Sequence, residues 1–202
     1  DTDPRRWRLL ALLALAELFG MSLWLAAAAV GPQLAQRWQL SPSETGWLVT
    51  IVQFGFVLGT AVSAVLNLAD VMPSRRLFAL SALVGAAANA ALVRAPSYEA
   101  ALALRLVTGF ALAGVYPPAL KLVSTWFVQG RGLALGAIIG ALTLGSSLPH
   151  LFRALAGTLD WQLVVLAASC ATVAGAAIFW FFASEGPHPF GRAVFDPRQI
   201  GA

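Results

Sequence analysis

Six apolar stretches, at roughly 9–30, 43–66, 77–93, 98–123, 132–152 and 161–183, occupy nearly all of this 202-residue chain. An α-helix rises about 1.5 Å per residue, so about 20 apolar residues cross a hydrocarbon core of about 30 Å. Each stretch is near that length, the third only just. Charged residues make up 11% of the chain and hydrophobic ones 59%, a balance that excludes a soluble domain of this size. The expectation is an all-α membrane protein, with residues 1–183 a bundle of six transmembrane helices and residues 184–202 a cytoplasmic linker or tail.

Basic residues alternate from gap to gap. Arg5, Arg6 and Arg8 precede the first stretch, Arg75 and Arg76 follow the second, Lys121 and Arg131 flank the gap after the fourth, and Arg192 and Arg198 follow the sixth. The other gaps hold only Arg37, Arg94 and Arg153, and Arg105 lies inside stretch four. Short loops rich in Lys and Arg stay cytoplasmic, so both termini are expected on that side. The net charge of +4 is then a topological signal. Basic residues divided among several short segments make no nucleic-acid face. Cys170 has no partner for a disulfide or a metal site and reads as packing. The sequence holds no nucleophile–base set, metal-ligand cluster or phosphate-binding glycine loop, so neither an enzyme nor a cofactor is expected. The first stretch is too long for a signal-peptide core and carries Glu17 in its middle, so it should stay in the protein. A start at Asp1 rather than Met, and a tail with Pro187, Pro189 and Pro197, suggest a longer parent protein.

Ser41, Pro42 and Glu44 form a capping box with proline at the first helical position, which starts the second helix. The gap after that helix reads Leu68-Ala69-Asp70-Val71-Met72-Pro73-Ser74-Arg75-Arg76. An acid, a tight turn and paired arginines resemble the signature loop of the major facilitator superfamily, Gly-x-Leu-Ala-Asp-Arg-x-Gly-Arg-Lys. Leu66, Val71 and Pro73 depart from that pattern. In stretch four, Arg105, Gly109 and Gly114 are similar to the family's Arg-x-x-x-Gly motif, and residues 126–136 are similar to its loop between helices four and five. The resemblance covers nearly the whole chain and implies the amino-terminal half of a twelve-helix transporter, built of two inverted three-helix repeats. Stretches four to six also resemble the cyanate and nitrate permease-like branch. The resemblance further implies that Asp70, Arg75 and Arg76 form a cytoplasmic gating network, and that helices one and four line a central cavity.

Two charges lie near mid-depth. Glu17 is nine residues past Arg8, about 14 Å in, and Arg105 is seven residues past Tyr98, about 10 Å from the other face. Charges there are costly and should be paired or face water. A Glu17–Arg105 pair reads in two ways. Either Glu17 carries a proton while Arg105 holds its charge or binds an anionic solute, or the two form a permanent structural ion pair. On a helical wheel Arg105, Leu112 and Tyr116 share a face flanked by Thr108, and Glu17, Met21 and Trp24 form a similar stripe. Met21, Trp24, Thr108 and Tyr116, with Gln53 midway along helix two, read as cavity lining. Helix five carries a stripe of Gly132, Gly136, Thr143, Ser147 and His150, with Gly140 and Ser146 beside it. The glycine spacing suits close helix packing. Thr143 and Ser147 suit either solute hydrogen bonds or back-bonds to their own helix. His150 reads as a loop-edge histidine, and Asn67 and Asn89 as helix-end or interhelical bonds.

These residues support a proton-coupled secondary transporter of a small anionic solute, seen as its amino-terminal half, in a bacterial inner membrane. One such bundle supplies half a cavity. Its partners are therefore the lipid bilayer, a small-molecule solute, and a second six-helix half, a second copy or a larger membrane complex. The alternative is a non-transporting half-bundle acting as a structural or assembly subunit of such a complex.

Overall fold

The structure, a computed structural model, describes residues 4–156 and 160–188. Arg192, Arg198, Pro189 and Pro197 of the expected tail lie outside the described residues. The regular elements are helices: α1 (Arg5–Gly20), α2 (Ala26–Ala29), α3 (Gly31–Trp38), α4 (Pro42–Val65), α5 (Leu68–Val71), α6 (Ser74–Ala91), α7 (Tyr98–Leu112), α8 (Tyr116–Trp126), α9 (Arg131–Ala156) and α10 (Trp161–Phe182).

Five of the six apolar stretches become helical spans long and apolar enough to cross a membrane: Pro42–Val65, Ser74–Arg94, Tyr98–Trp126, Arg131–Leu155 and Trp161–Phe182. The first stretch differs from expectation. It is built from α1, a 3-10 turn at Met21–Leu23 and the short α2, so no single helix crosses. The cause lies in hydroxyl groups competing for backbone acceptors. Ser22 Oγ donates to Phe19 O (2.8 Å) and to Ala168 O of α10 (2.9 Å), while Thr172 Oγ1 donates to Phe19 O (3.1 Å). Such bonds draw carbonyls away from the helical ladder and break it. The fourth stretch is broken too, between α7 and α8. Pro117 and Pro118 suit the first turn of a new helix, whereas in a continuous one Pro117 would clash with the carbonyl of Ala113.

Other boundaries fall close to expectation. The capping box forms as read, with Ser41 Oγ accepting from Glu44 N–H (3.3 Å) and Glu44 Oε2 accepting from Ser41 N–H (2.8 Å). Helix α9 runs past Pro149 to Ala156, so the exposed His150 lies within a helix rather than at a loop edge.

Helix α1 packs on α9 and α10, α4 on α7, and α6 on α7 and α10. In terms of the apolar stretches these pairs are 1·5, 1·6, 2·4, 3·4 and 3·6. Exchanging stretch 1 with 4, 2 with 5 and 3 with 6 returns the same set, the pattern of two three-helix repeats. Stretches 1 and 4 run in opposite directions, which makes the repeats inverted. The equivalent crossings 2·4 and 1·5 are both made by backbone approach at a glycine. A Cβ on Gly109 would meet Val52 O at 2.0 Å, and one on Gly145 would meet Leu18 O at 2.1 Å. In lipid, packing of this kind replaces the hydrophobic effect as the attraction between helices. Between the helices lie Leu13, Met21, Leu23, Val52 and Leu112, with Phe78 and Phe179 stacked at 3.9 Å.

The least covered of the five long spans are α4 and α9, the equivalent second members of each repeat, 22% and 28% buried against 44–50% for the other three. Gly132, Gly136 and Gly140 lie on the open side of α9, where an added Cβ would meet nothing within 4 Å. The expectation that these glycines pack helices is corrected: the packing glycine of α9 is Gly145. Cys170 is also exposed rather than packed.

Basic residues divide between the two ends of the bundle. Arg6 stacks over Trp7 and Phe127, Arg131 donates to Phe127 O (3.0 Å), and Arg5 and Arg8 line a cleft with Trp126 and Ser184, all at the end that carries Asp70. Arg37 stacks over Trp38 and Trp161 at the opposite end.

Candidate functional site

Arg105, on α7, is wholly buried. Its Nη1 donates to Leu23 O (3.1 Å) and Asn89 Oδ1 (3.0 Å), its Nη2 to Trp24 O (2.8 Å), and its Nε to Leu48 O (3.5 Å). In an unbroken first helix, Leu23 O and Trp24 O would accept from residues four positions on. A break at membrane depth is tolerated only where the freed backbone groups find other partners. The guanidinium fork, with five donors in a fixed plane, supplies them. Asn89 completes the arrangement, since its Nδ2 donates to Val165 O (3.1 Å) and Ser169 Oγ (3.0 Å) on α10. One buried polar network thus ties together stretches one, two, three, four and six.

Glu17 is also wholly buried, and neither carboxyl oxygen has a hydrogen-bond partner. The expected Glu17–Arg105 pair does not form. Arg105 reaches the carbonyls beyond the break, whereas Glu17 lies six residues before Leu23, about 9 Å away at helical rise. The two buried groups therefore lie at different levels along the bundle.

The expected cavity residues separate into two groups. Met21 and Thr108 are buried in the core, and Thr108 Oγ1 is bonded to Leu104 O (2.8 Å), so neither lines an open cavity in this state. The 3-10 turn begins at Met21 and takes it off the wheel assumed for a regular helix. Likewise Tyr116 starts α8 and is not on a wheel continuous with Arg105. Trp24 and Tyr116 are half-buried, and Gln53, Thr143 and Ser147 are exposed. Trp24 meets Phe56 edge to face at 5.0 Å, and Gln53 lies one turn before Phe56 on the same side of α4. Thr143 Oγ1 donates to Ile139 O (3.0 Å) and Ser147 Oγ to Thr143 O (3.3 Å), the back-bonding alternative.

At the loop after α4, Asp70 pairs with Lys121 of α8, whose Nζ also donates to Ala69 O (2.6 Å). Arg75 donates from Nε (3.2 Å) and Nη2 (2.6 Å) to Ala183 O, just past α10, and Arg76 is exposed. The expected single network of Asp70, Arg75 and Arg76 is thus two separate attachments. Extended backbone at Met72 and Pro73 carries Arg75 away from Asp70. Lys121, whose position in the sequence signals only topology, is the partner of Asp70. Asn89 was legible as an interhelical residue, but not as the support of Arg105.

The sequence profile described as Major Facilitator Superfamily matches residues 12–199. Over 127 residues the chain is 35% identical to a niacin transporter of Acinetobacter baylyi, a match covering 58% of this chain and 28% of that protein. The fold superimposes, with a TM-score of 0.74 at 16% identity, on the crystal structure of a bacterial homologue of the human lysosomal transporter Spinster, captured inward-facing and unoccupied. That match covers 100% of this chain and 48% of the other, so the chain spans about half the length of its solved relative.

Proposed function

Because the chain belongs to the major facilitator superfamily, we propose that it is the amino-terminal half of a proton-coupled secondary transporter of a small anionic solute. The observation that carries this reading is Glu17, a carboxyl group buried in the bundle with no partner. As an uncharged acid it costs far less in that packing than as a carboxylate, which needs water, a cation or a polar solute. A cycle that alternately packs Glu17 and opens it to water would load and unload one proton. Arg105 then acts as a positioning residue, holding the broken first helix that carries Glu17 on one side of the break and Trp24 on the other.

The anionic class is supported by the relative that is a niacin transporter. Nicotinate is a small aromatic carboxylate, and the Trp24–Phe56 pair with the Gln53 amide offers flat apolar contact beside a hydrogen-bonding group. The uncovered sides of α4 and α9, with Gln53, Thr143 and Ser147, are where a second six-helix bundle would close the cavity. The division of basic residues between the two ends supports cytoplasmic termini, and the Acinetobacter relative supports a bacterial inner membrane.

The test is uptake of small carboxylates, nicotinate first, by cells that express the full chain, with an inward proton gradient imposed. Accumulation should follow the gradient and collapse with a protonophore. Uptake indifferent to the gradient would count against the coupling. The alternative of a structural subunit is favoured by one observation: Arg105 is fully engaged in holding helices together.

A further inference from the structure

Residues 183–188 leave α10 and run back across the Asp70 end of the bundle, where their hydrogen bonds reach elements far away in sequence. Arg75, in the first turn of α6, donates two bonds to Ala183 O, at 2.6 and 3.2 Å. Trp126, the last residue of α8, donates its indole N–H to Ser184 O at 2.7 Å. Gly186 N–H donates to Thr125 Oγ1 at 2.8 Å, and His188 N–H to Thr125 O at 3.1 Å. The last carbonyls of a helix have no donor within the helix, and for α8 this segment supplies one. The fit requires glycine, since a Cβ on Gly186 would come within 2.3 Å of Thr125 O. Glu185 lines both the cleft of about 380 Å³ beside Arg75 and the neighbouring one over Asp70 and Lys121.

We propose that residues 183–188 are a clasp, which joins the ends of α8 and α10 to the first turn of α6 at Arg75 and opens when those ends move apart. The attachments are to two helices, α6 and α8, and the segment itself extends a third, so all close together only at the present spacing of α6, α8 and α10. The bonds are few and lie at the water-facing end, which places the clasp among the least stable parts of the molecule. A shift of α8 against α10 would release it without unfolding either helix. Chain that continues beyond residue 188 would be directed from this point. The inference rests on geometry alone and holds whether or not the protein carries a solute.

Hydrogen exchange measured by mass spectrometry on the full chain in lipid nanodiscs tests it. The amides of Gly186 and His188 should exchange at least about tenfold more slowly than in an unstructured peptide. Gly186→Ala should release them, and so should Arg75→Gln, while amides inside α8 and α10 keep their protection and show that the bundle is intact. Should the alanine variant fail to fold, Thr125→Val removes the hydroxyl that accepts from Gly186 and that itself donates to Leu122 O, and should give the same local release while amides inside α8 stay protected. Free exchange of both amides in the unaltered chain would overturn the clasp. Unchanged protection in Gly186→Ala or Thr125→Val would do the same, and unchanged protection in Arg75→Gln would reduce the segment to a cap on α8.

Discussion

Arg105 donates to carbonyls and an amide, not to a carboxylate, and this decides what its removal does. Arg105→Ala would strand Leu23 O, Trp24 O and Asn89 Oδ1 in the core. Bonds from a charged donor contribute about 1.5–3 kcal/mol each, so the loss should reach several kcal/mol. Thermal unfolding in mild detergent should show a clear drop, only partly recovered by Arg105→Lys, because an ammonium cannot span the fork. A melting temperature equal to wild type would show that the broken first helix does not depend on the guanidinium. Distance along a helix translates into depth, which is why Glu17 and Arg105 could be expected near the midplane from sequence. Their partners could not, because partners depend on a 3-10 turn at Met21 set by Ser22 and Thr172, residues that reach each other across 150 positions.

At the scale of helices, the apolar stretches were legible because bilayer thickness fixes their length, but the breaks were less so. Pro117 and Pro118 after Gly114 are a readable stop and restart for stretch four. Stretch one has no proline before its break, and its interruption is tertiary in origin. Helix α9 shows the limit of spacing arguments. Gly132, Gly136 and Gly140 have the right interval for packing, yet the buried side carries Ala134, Ile138, Ala141 and Gly145, two positions out of phase with the first of them. Spacing gives a stripe but not the side that meets a neighbour. A contrast follows: Gly109→Val and Gly145→Val should destabilise the bundle by about 1–3 kcal/mol or more through overpacking. Gly136→Val, which meets nothing within 4 Å, should leave the melting temperature of the six-helix bundle unchanged. Equal losses in all three would contradict the packing described here.

At the scale of the molecule, the exchange of equivalent helices relates α4 to α9, the two least covered spans, and the proposed second bundle would cover the exposed polar and glycine-rich side of α9. Native mass spectrometry of the particle purified in mild detergent should find two six-helix bundles, in one chain or two. A stoichiometric complex with unrelated proteins would turn the account toward a structural subunit. The family and the half-bundle plan were legible because the loop at Asp70 and the motif at Arg105 occur in order along the chain; the solute was not, since half of a cavity holds half of its contacts. The central claim is that Glu17 carries the coupled proton, and solute exchange in proteoliposomes compared with gradient-driven accumulation tests it most directly. Glu17→Gln, a permanent mimic of the protonated acid, should still exchange internal for external nicotinate or the identified solute at a rate near wild type, but should no longer accumulate it against a gradient. A Glu17→Gln protein that accumulates solute as wild type does would contradict the account.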